Sequence, residues 1–503
     1  MEHIHRREFI RTSISASLMA STGLIASKLY GIGKKKSKRP NILWIMMDDG
    51  RADAVGCYGK AWAQTANMDG IASQGVRFAS AIVQNPVCVP SRKSMKSGHY
   101  PHTFGLTAMG KPASVPGAYM KKARPDVPNL VNFWKRVGIN PVNVGKRHAY
   151  QKDWISKGDR GALIDFFGNP RGAEAKEKFE KSTQPNRYRR VNIKTHRWMI
   201  GGVVPFAPEE TQTWRLGDLA VDTLKELAAK EEPFFLRVSF HAPHVPCRVP
   251  ASYFIDPEKI TLPLPTKEEL KNKPRFEREN LHIYAGGLDL TKEQIGICRG
   301  TYYGMVSLVD VQVGRLVECL KKAGLINNTI IAINSDQGFQ LGEHGLWKKR
   351  VFYEQNVCVP LIISCPGLLP SGKVIDEPVE MVDFLPTLME LCRLAVPNSV
   401  RGLSLMPLIR GDMKRWKPAC FCEIDHSMSM YEELRQGTGR RVMVRTKKWK
   451  LVYFMDERVP DKDGALYNLK KDGDEKENLY NKPQYKHIIK YLEELAEEWD
   501  QKN

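Results

Sequence analysis

Short apolar runs that stop at polar or charged residues recur along this chain. Residues 42–47 run into Asp48-Asp49, residues 141–144 into Gly145-Lys146-Arg147-His148, residues 234–240 into His241-Ala242-Pro243-His244, and residues 329–334 into Ser335-Asp336-Gln337-Gly338. Continuous apolar runs of this length are typical of parallel strands that are buried on both faces. Because the carboxyl ends of parallel strands share one edge of a sheet, the pattern predicts a site built from the residues that follow the runs.

Helical periodicity separates these strands. Apolar residues recur at helical spacing over residues 130–137, 216–227 and 305–320. Strands that alternate with helices predict an α/β fold with a doubly wound, mostly parallel sheet. Residues 170–200 are rich in Arg and Lys and are interpreted as an inserted loop segment.

The pattern changes after about residue 410. Residues 442–446, 449–454 and 464–469 predict short strands, and residues 485–499 predict an amphipathic helix. We therefore expect a large catalytic domain over residues 40–410 and a smaller C-terminal α+β domain over residues 411–503.

The N-terminal residues have a different character. Arg6-Arg7 precede a modestly apolar stretch at residues 14–26, which is too short to span a bilayer. Twin arginines before such a stretch are typical of a bacterial twin-arginine export signal. We expect residues 1–27 to be this signal, residues 28–39 to be a basic linker, and the mature protein to be periplasmic or secreted without an integral membrane segment.

Charge adds a constraint on partners. The 503 residues carry a formal net charge of +21, and the first 39 hold nine Lys or Arg and two Asp or Glu, which leaves +14 on the remainder. A basic body favours a polyanion such as nucleic acid, a membrane surface or an acidic polysaccharide. Export from the cytoplasm argues against nucleic acid as the partner.

The ten cysteines lack the paired spacing of zinc sites, so most are expected to be buried small residues, and the sequence leaves open whether any of them form disulfides.

Hard oxygen ligands dominate the predicted strand ends. Asp48, Asp49 and Asp336 offer carboxylates and Gln337 offers an amide oxygen, a set that suits calcium or magnesium rather than zinc or copper. Cys88, in the run Cys-Val-Pro-Ser-Arg, would be a poor ligand for such a cation because thiolates prefer soft metals. From the residues alone, Cys88 is either structural or is not a thiol in the mature protein.

Taken together, the clusters resemble those of the formylglycine-dependent sulfatases of the alkaline phosphatase superfamily. The shared patterns are Cys-x-Pro-Ser-Arg with a later Ser-Gly at 88–98, Asp-Asp at 48–49, Gly-Lys-x-His at 145–148, His-x-Pro-His at 241–244, Ser-Asp-x-Gly at 335–338 and Gly-Glu-His-Gly-Leu-Trp-x-Lys at 342–349. The likeness extends from about residue 40 to residue 479. Two positions depart from the family: His99 stands where Arg or Lys is usual, and Gln337 stands where Asn or His is usual.

The resemblance implies a modified nucleophile and one cation. A formylglycine-generating enzyme or an anaerobic sulfatase-maturating enzyme would oxidise Cys88 to formylglycine, whose hydrate supplies an oxygen nucleophile. The implied ligands of one calcium ion are Asp48, Asp49, Asp336, Gln337 and the modified Cys88.

The resemblance also implies catalytic roles for five further side chains. Arg92 would hold the hydrate, and His148 would accept the proton whose loss expels sulfate. Lys146, Lys349 and His244 would bind the ester oxygens, and His244 or Lys349 would protonate the leaving alcohol. His241 and His344 are interpreted as structural.

The function expected from these features is an exported sulfatase that acts on a sulfated carbohydrate. Asp49-Gly50-Arg51 and residues 309–314 lean slightly towards the iduronate-2-sulfatase-like branch. Three alternatives stay open: a phosphonate or phosphate ester hydrolase on the same fold, a sulfated-glycan-binding protein that has lost catalysis, and a hydrolase that uses the Cys88 thiol with a histidine. The clustered carboxylates fit the third poorly, because they oppose a thiolate.

Overall fold

A computed structural model describes most of the chain after residue 38. The described residues are 39–60, 62–108, 130–147, 155–157, 173, 177, 188–189, 201–230, 232–262, 264–274, 277–278, 290–412, 416–426, 439–455 and 463–503. The predicted export signal, the linker up to residue 38, His148 and most of the segment 170–200 lie outside them.

The described strands and helices alternate over most of the chain. The strands are β1 (Asn41–Asp48), β2 (Val76–Phe78), β3 (Ala81–Ile82), β4 (Val142–Gly145), β5 (Ile155–Lys157), β6 (Tyr188–Arg189), β7 (Gly201–Val204), β8 (Phe235–Pro243), β9 (Cys247–Pro250), β10 (Thr329–Ser335), β11 (Gln340–Leu341), β12 (Trp347–Lys348), β13 (Cys358–Val359), β14 (Leu361–Ser364), β15 (Lys373–Ile375), β16 (Val379–Glu380), β17 (Cys420–Asp425), β18 (Arg440–Arg445), β19 (Trp449–Phe454) and β20 (Gly464–Asn468). The α-helices are α1 (Ala66–Ser73), α2 (Cys88–Ser97), α3 (Leu130–Arg136), α4 (Gln212–Ala228), α5 (Lys267–Lys271), α6 (Lys292–Lys322), α7 (Glu354–Val357), α8 (Phe384–Leu391), α9 (Met406–Arg410) and α10 (Lys486–Lys502).

The main sheet has eight strands in the order β15-β2-β14-β10-β1-β8-β4-β5. β1 lies parallel to both of its neighbours, β10 and β8, and β4 and β5 continue in the same direction. Of the eight strands, β14 alone runs antiparallel to the rest. The predicted mostly parallel sheet is therefore confirmed.

Both faces of this sheet are buried, as the continuous apolar runs predicted. Ile42, Trp44 and Met46 of β1 belong to one core, which includes side chains of α3 and α8. The alternate residues of β1 belong to a second core, which includes side chains of α4 and α6. Burying a large apolar side chain contributes about 1.5–3 kcal/mol, so cores on both faces hold β1 firmly at the centre. The doubly wound arrangement is confirmed.

The strand register brings the predicted polar residues to one edge of the sheet. Met47 pairs with Ser335, and Gly145 pairs with Ser239. β8 continues to Pro243 rather than ending at residue 240, because its ladder with β1 resumes at Asp48 after a local register shift.

The C-terminal strands β18, β19 and β20 and the helix α10 form where they were predicted, whereas β17 was not predicted. Strands β17 to β20 make an antiparallel sheet in sequential order. One face of it packs on α10, through residues that include Val442, Val444, Leu451, Leu492 and Trp499. The other face, which includes Met443, Val452 and Phe454, shares a core with Trp44 of β1. The two sheets therefore have a common core, and the domain boundary at residue 411 stays a prediction.

A buried ion cluster also links the C-terminal sheet to α7. The Lys450 ammonium lies 2.7 Å from carboxylate oxygens of both Glu354 and Glu475, and it donates to the Phe352 carbonyl at 3.0 Å. Arg445 lies 3.2 Å from the second oxygen of Glu354. Because Lys450 is wholly buried, its partners offset much of the free energy that desolvating its charge costs.

All ten cysteines lie among the described residues; none of them forms a disulfide, and eight of them are buried. Within the described part of the chain, no helix combines the length and the apolar character that crossing a membrane requires.

The buried carboxylate of Glu423 gives a test of the C-terminal sheet. It accepts from Arg440 Nε at 2.7 Å and lies 2.7 Å from His102 Nδ1. Burial alone would raise the pKa of Glu423, but Arg440 and His102 lower that pKa to about 2. Glu423→Gln removes the negative charge beside the buried Arg440 guanidinium. We therefore expect the free energy of unfolding at pH 7 to fall by about 3–5 kcal/mol.

Because the folded-state pKa of Glu423 is depressed, its contribution is present above pH 4.5 and is lost as pH falls towards 2. The difference between wild type and Glu423→Gln in urea unfolding should therefore narrow in acid. Glu226→Gln, which loses only a surface pair with Lys157, is the matched control and should change stability by under about 1 kcal/mol. A difference independent of pH would contradict this account of Glu423.

Candidate active site

The candidate site lies where β1, β10, β8 and β4 end together. Asp48 is the last residue of β1, Asp336-Gln337 follow β10, and Lys146 follows β4. α2 begins at Cys88 and brings its first two turns to the same edge. Lys349 arrives from the other side, directly after β12.

Four potential ligand atoms converge at the centre of this edge. One ligand atom each from Asp48, Asp49, Cys88 and His244 lies within 4.8 Å of the other three. The sequence predicted Asp48, Asp49 and Cys88 together, but it assigned His244 to the leaving-group side. His244 Nδ1 lies 2.6 Å from the Val245 carbonyl, which can only accept, so Nδ1 carries a proton and Nε2 faces Asp49 Oδ2 at 3.8 Å.

Asp336 lies beside this group and braces it. Its Oδ1 accepts from the backbone N–H groups of Asp49 at 3.1 Å and of Gln337 at 3.0 Å, and its Oδ2 accepts from Arg92 Nε at 2.5 Å. Burial alone would raise the pKa of Asp336, but Arg92, Lys146 and Lys349 together bring that pKa below its ordinary value. The carboxylate is therefore ionised at neutral pH.

Two lysines contact the remaining carboxylates. Lys349 Nζ donates to Asp49 Oδ1 at 2.6 Å and to Cys88 Sγ at 2.9 Å, and Lys146 Nζ contacts Asp48 Oδ2. Burial raises the pKa of Asp49 to about 6, although Lys349 opposes this rise. Burial alone would lower the pKa of Lys349, but the neighbouring Asp49 carboxylate raises that pKa above its usual range.

The Cys88 side chain is poorly suited to act as a thiolate. It is buried within the carboxylate group, and burial raises the pKa of this thiol despite the opposing effect of Lys349. A protonated thiol is a weak nucleophile. The hydrolase alternative that depends on Cys88 as a thiolate therefore lacks support in this geometry.

Two oxygen atoms in the site are well placed for a hard cation. Asp49 Oδ2 and Gln337 Oε1 are buried and make no hydrogen bond. The Gln337 amide nitrogen faces Asp49 Oδ1, and turning the amide over would present Oε1 there instead. Such an arrangement needs a cation between the oxygens, and buried carboxylate and amide oxygens are the donors that calcium prefers. The residues present therefore fit the predicted metal.

The other histidines lie around the site in different roles. His344 stacks on Tyr353 with ring centres 3.8 Å apart, and its Nδ1 lies 2.8 Å from Glu269, which agrees with a structural role. Burial, together with Lys146 and Arg92, lowers the pKa of His241 to about 3, so its ring is neutral. His99 is buried just after α2. His148 falls outside the described residues, so its predicted role stays a prediction.

Sequence reasoning missed two polar residues inside β8. Ser239 Oγ accepts from Arg92 Nη1 at 2.9 Å, and its carbonyl accepts from Lys146 N at 2.8 Å. Arg237 Nε donates to Asn143 Oδ1 at 2.7 Å, beneath the site. The signal was their spacing: two polar residues at i and i+2 in an apolar run lie on one face of a strand.

The arrangement concentrates three buried carboxylates and three basic side chains in one place. Arg92 contacts Asp336 and Asp48, Lys146 contacts Asp48, and Lys349 contacts Asp49. A divalent cation on the carboxylates would leave the three basic groups available to an anionic ester. Charge placed in advance where a transition state develops its own charge is an effective form of catalysis.

Two family models match this chain. The sulfatase model matches residues 40–394, and the model of the C-terminal region of N-sulphoglucosamine sulphohydrolase matches residues 342–502. The second match begins at residue 342, well before the predicted boundary at 411.

Curated relatives and solved structures agree with this match. The chain is 28% identical to an arylsulfatase of Clostridium perfringens, covering 91% of this chain and 93% of that protein. It is 26% identical to an N-acetylglucosamine-6-O-sulfatase of Bacteroides thetaiotaomicron, covering 97% and 91%. A mouse iduronate 2-sulfatase is also 28% identical, over 76% of this chain and 74% of the relative, so identity does not favour that branch over the arylsulfatase.

A phosphonate monoester hydrolase from Silicibacter pomeroyi has the same fold, with a TM-score of 0.73, 23% identity and coverage of 92% of this chain and 96% of the other. With the family model matched over the whole α/β sheet and its site, this chain belongs to the sulfatase family and is a sulfuric ester hydrolase.

Proposed function

We propose that this protein removes sulfate from a sulfated carbohydrate, with a formylglycine made from Cys88 as nucleophile and one calcium ion as cofactor. The observation that carries the proposal is the setting of Cys88. Its sulfur lies among hard oxygen ligands and 2.9 Å from Lys349, where burial keeps a thiol protonated. An oxygen nucleophile at residue 88 would be compatible with the hard oxygen ligands around it, whereas a sulfur is not.

The residues proposed to hold calcium are Asp48, Asp49, Asp336, Gln337 and modified residue 88. When bound, the cation would supply positive charge to a sulfate oxygen. The unpaired oxygens of Asp49 and Gln337 support this assignment. Asp336, which both Arg92 and two backbone N–H groups already hold, would keep the ligand turn in place as well as contribute charge.

The basic side chains have separate tasks in this proposal. Arg92, fixed by Asp336 and Ser239, would orient residue 88. Lys349 and Lys146 would bind the sulfate group, since they already lie against the carboxylates that surround it. His244 Nε2 would carry the proton for the leaving alcohol, because the Val245 carbonyl fixes the ring with Nε2 facing the site.

A carbohydrate sulfate is the proposed substrate class for two reasons. One full-length relative is named for the N-acetylglucosamine 6-O-sulfate that it hydrolyses. The chain after residue 39 carries a formal charge of +14, which favours anionic polymers. Export to the periplasm or beyond, and a maturing enzyme as partner, remain part of the proposal.

The second candidate is a phosphonate or phosphate ester hydrolase, because a cation with three basic groups would also bind those esters. Parallel assays separate the two. Calcium-loaded enzyme should release sulfate from defined sulfated oligosaccharides much faster than it cleaves matched phosphate and phosphonate esters, and chelation should abolish this activity until Ca²⁺ is restored. A preference for the phosphorus esters, or full activity after exhaustive chelation, would overturn the corresponding part of the proposal.

We predict that Cys88 is converted when the chain is produced with a sulfatase-maturating enzyme. Mass spectrometry of the Cys88 peptide should show an aldehyde form that is lighter than the thiol form, in proportion to activity. The buried Cys365 in the same digest is the matched control and should remain a thiol. A fully active preparation in which Cys88 is entirely unmodified would rule out the formylglycine.

A further prediction separates proton donation by His244 from simple sulfate binding. A sugar alcohol is a poor leaving group and needs a proton, whereas an activated aryl alcohol does not. His244→Ala should therefore slow hydrolysis of a sugar sulfate by about 10²–10⁴-fold and slow an activated aryl sulfate far less.

The matched control is His241→Ala, which removes a neutral histidine from the same strand end. It should affect both substrates alike. Equal losses on both substrates for His244→Ala would reduce His244 to a binding group.

A further inference from the structure

The side chain of Arg51, three residues after Asp48, is buried between two loops of the site. It is 1% exposed. Nε and Nη2 each donate to the Asp53 carboxylate at 2.7 Å, and Nη1 donates to Glu343 Oε1 at 2.6 Å. All three nitrogens of the guanidinium are therefore engaged, and Glu343 belongs to the loop that leads to Lys349.

On one side, the backbone of Arg51 is fixed to the turn that carries Asp49, because one tyrosine hydroxyl contacts both. Asp49 has a φ of 65°, a left-handed conformation that costs a non-glycine residue about 1–3 kcal/mol and persists only where its surroundings impose it. Tyr302 imposes it here: its hydroxyl donates to the Asp49 carbonyl at 2.6 Å and accepts from Arg51 N at 3.0 Å.

On the other side, Arg51 secures the hairpin that carries Lys349. Glu343 Oε1 accepts from Arg51, and Glu343 Oε2 accepts from the backbone N–H of Leu341 at 2.7 Å. Leu341 ends β11, which pairs with β12, and Lys349 follows β12 directly. The two segments meet again at the site, where Lys349 Nζ lies 2.6 Å from Asp49 Oδ1.

We propose that Arg51 is a positioning residue for sulfate transfer: it fixes the Asp49 turn against the Lys349 hairpin, so that the Lys349 ammonium stays beside residue 88. The inference rests on the role proposed for Lys349. A lysine side chain has four rotatable carbon–carbon bonds, so the position of its ammonium depends on how firmly the backbone at that residue is held. A displacement of about 1 Å can reduce a catalysed rate by about 10²-fold.

A double-mutant cycle on an activated aryl sulfate tests this inference. Arg51→Met alone should lower kcat by about 10²-fold with a smaller change in KM. In a Lys349→Met background, the same Arg51→Met change should cost under about 3-fold, because residues that act through one group are not additive. The aryl substrate keeps the result independent of the proposed carbohydrate specificity.

A second readout follows the position of Lys349 without turnover. Acetylation of lysines by a limiting reagent, read by mass spectrometry, should modify Lys349 slowly in wild type, where its side chain is 12% exposed. Arg51→Met should accelerate that modification several-fold. Arg440→Met is the matched control: Arg440 is also buried and also binds two carboxylates, those of Glu423 and Asp500, so its loss should destabilise the fold and leave Lys349 protected.

The possible results separate an error in the role given to Arg51 from an error in the role given to Lys349. If Arg51→Met does not fold, Tyr302→Phe, which removes one hydroxyl and no charge, takes its place and should show the same dependence on Lys349. A defect that is additive with Lys349→Met, with Lys349 still protected, would overturn the inference about Arg51 alone. Full activity of Lys349→Met would overturn the proposed role of Lys349 and this inference with it.

Discussion

The parallel pairing of β1 with β10 and β8 is the constraint on which the site depends. The β1–β10 ladder is unbroken from Asn41–Thr329 to Met47–Ser335, and cores bury both faces of β1. Since side chains alternate along a strand, a slip of one residue would exchange the two faces and move Asp48 away from Asp336. The backbone and the cores therefore place the site residues, and the charges of the site do not have to.

Given that placement, the site has to accommodate buried charge. A carboxylate or ammonium taken out of water costs several kcal/mol unless partners compensate it. Each buried carboxylate has a basic partner: Lys146 for Asp48, Lys349 for Asp49 and Arg92 for Asp336. In the proposed reaction a divalent cation held by these carboxylates would supply the compensating charge, and the same basic groups would be available to bind the ester.

Much of the fold and of the candidate site could be predicted from the sequence, because the spacing of apolar residues reflects which positions are buried. Buried strands appear in the sequence as apolar runs, and residues of the candidate site, such as Asp48 and Asp336, follow directly where those runs end. The family resemblance added the proposed chemistry of residue 88, which the residues alone left open. The antiparallel β14 within the main sheet could not be read from its composition, since strand direction leaves no local trace.

What the sequence did not predict is set by contacts between distant segments. Ser239 contacts Arg92 across the sheet, and the spacing of Arg237 and Ser239 in their apolar run shows that they share a face but not which distant residue they contact. The orientation of His244 depends on one backbone carbonyl, that of Val245. The fusion of the two cores depends on which face of β18 and β19 turns towards the main sheet, and that is a property of packing rather than of local pattern.

The core that the two sheets share bears on where the C-terminal region could be exchanged between related proteins. Glu354, which the C-terminal residue Lys450 requires, lies a few residues after Lys349, and both fall inside the family match that begins at residue 342. An exchange of the C-terminal region at residue 411 would separate the Lys450 ammonium from the Glu354 carboxylate that it contacts. A chimera that took its C-terminal sheet from a relative would therefore need Glu354, and with it the neighbouring hairpin that carries the proposed catalytic Lys349, from the same relative.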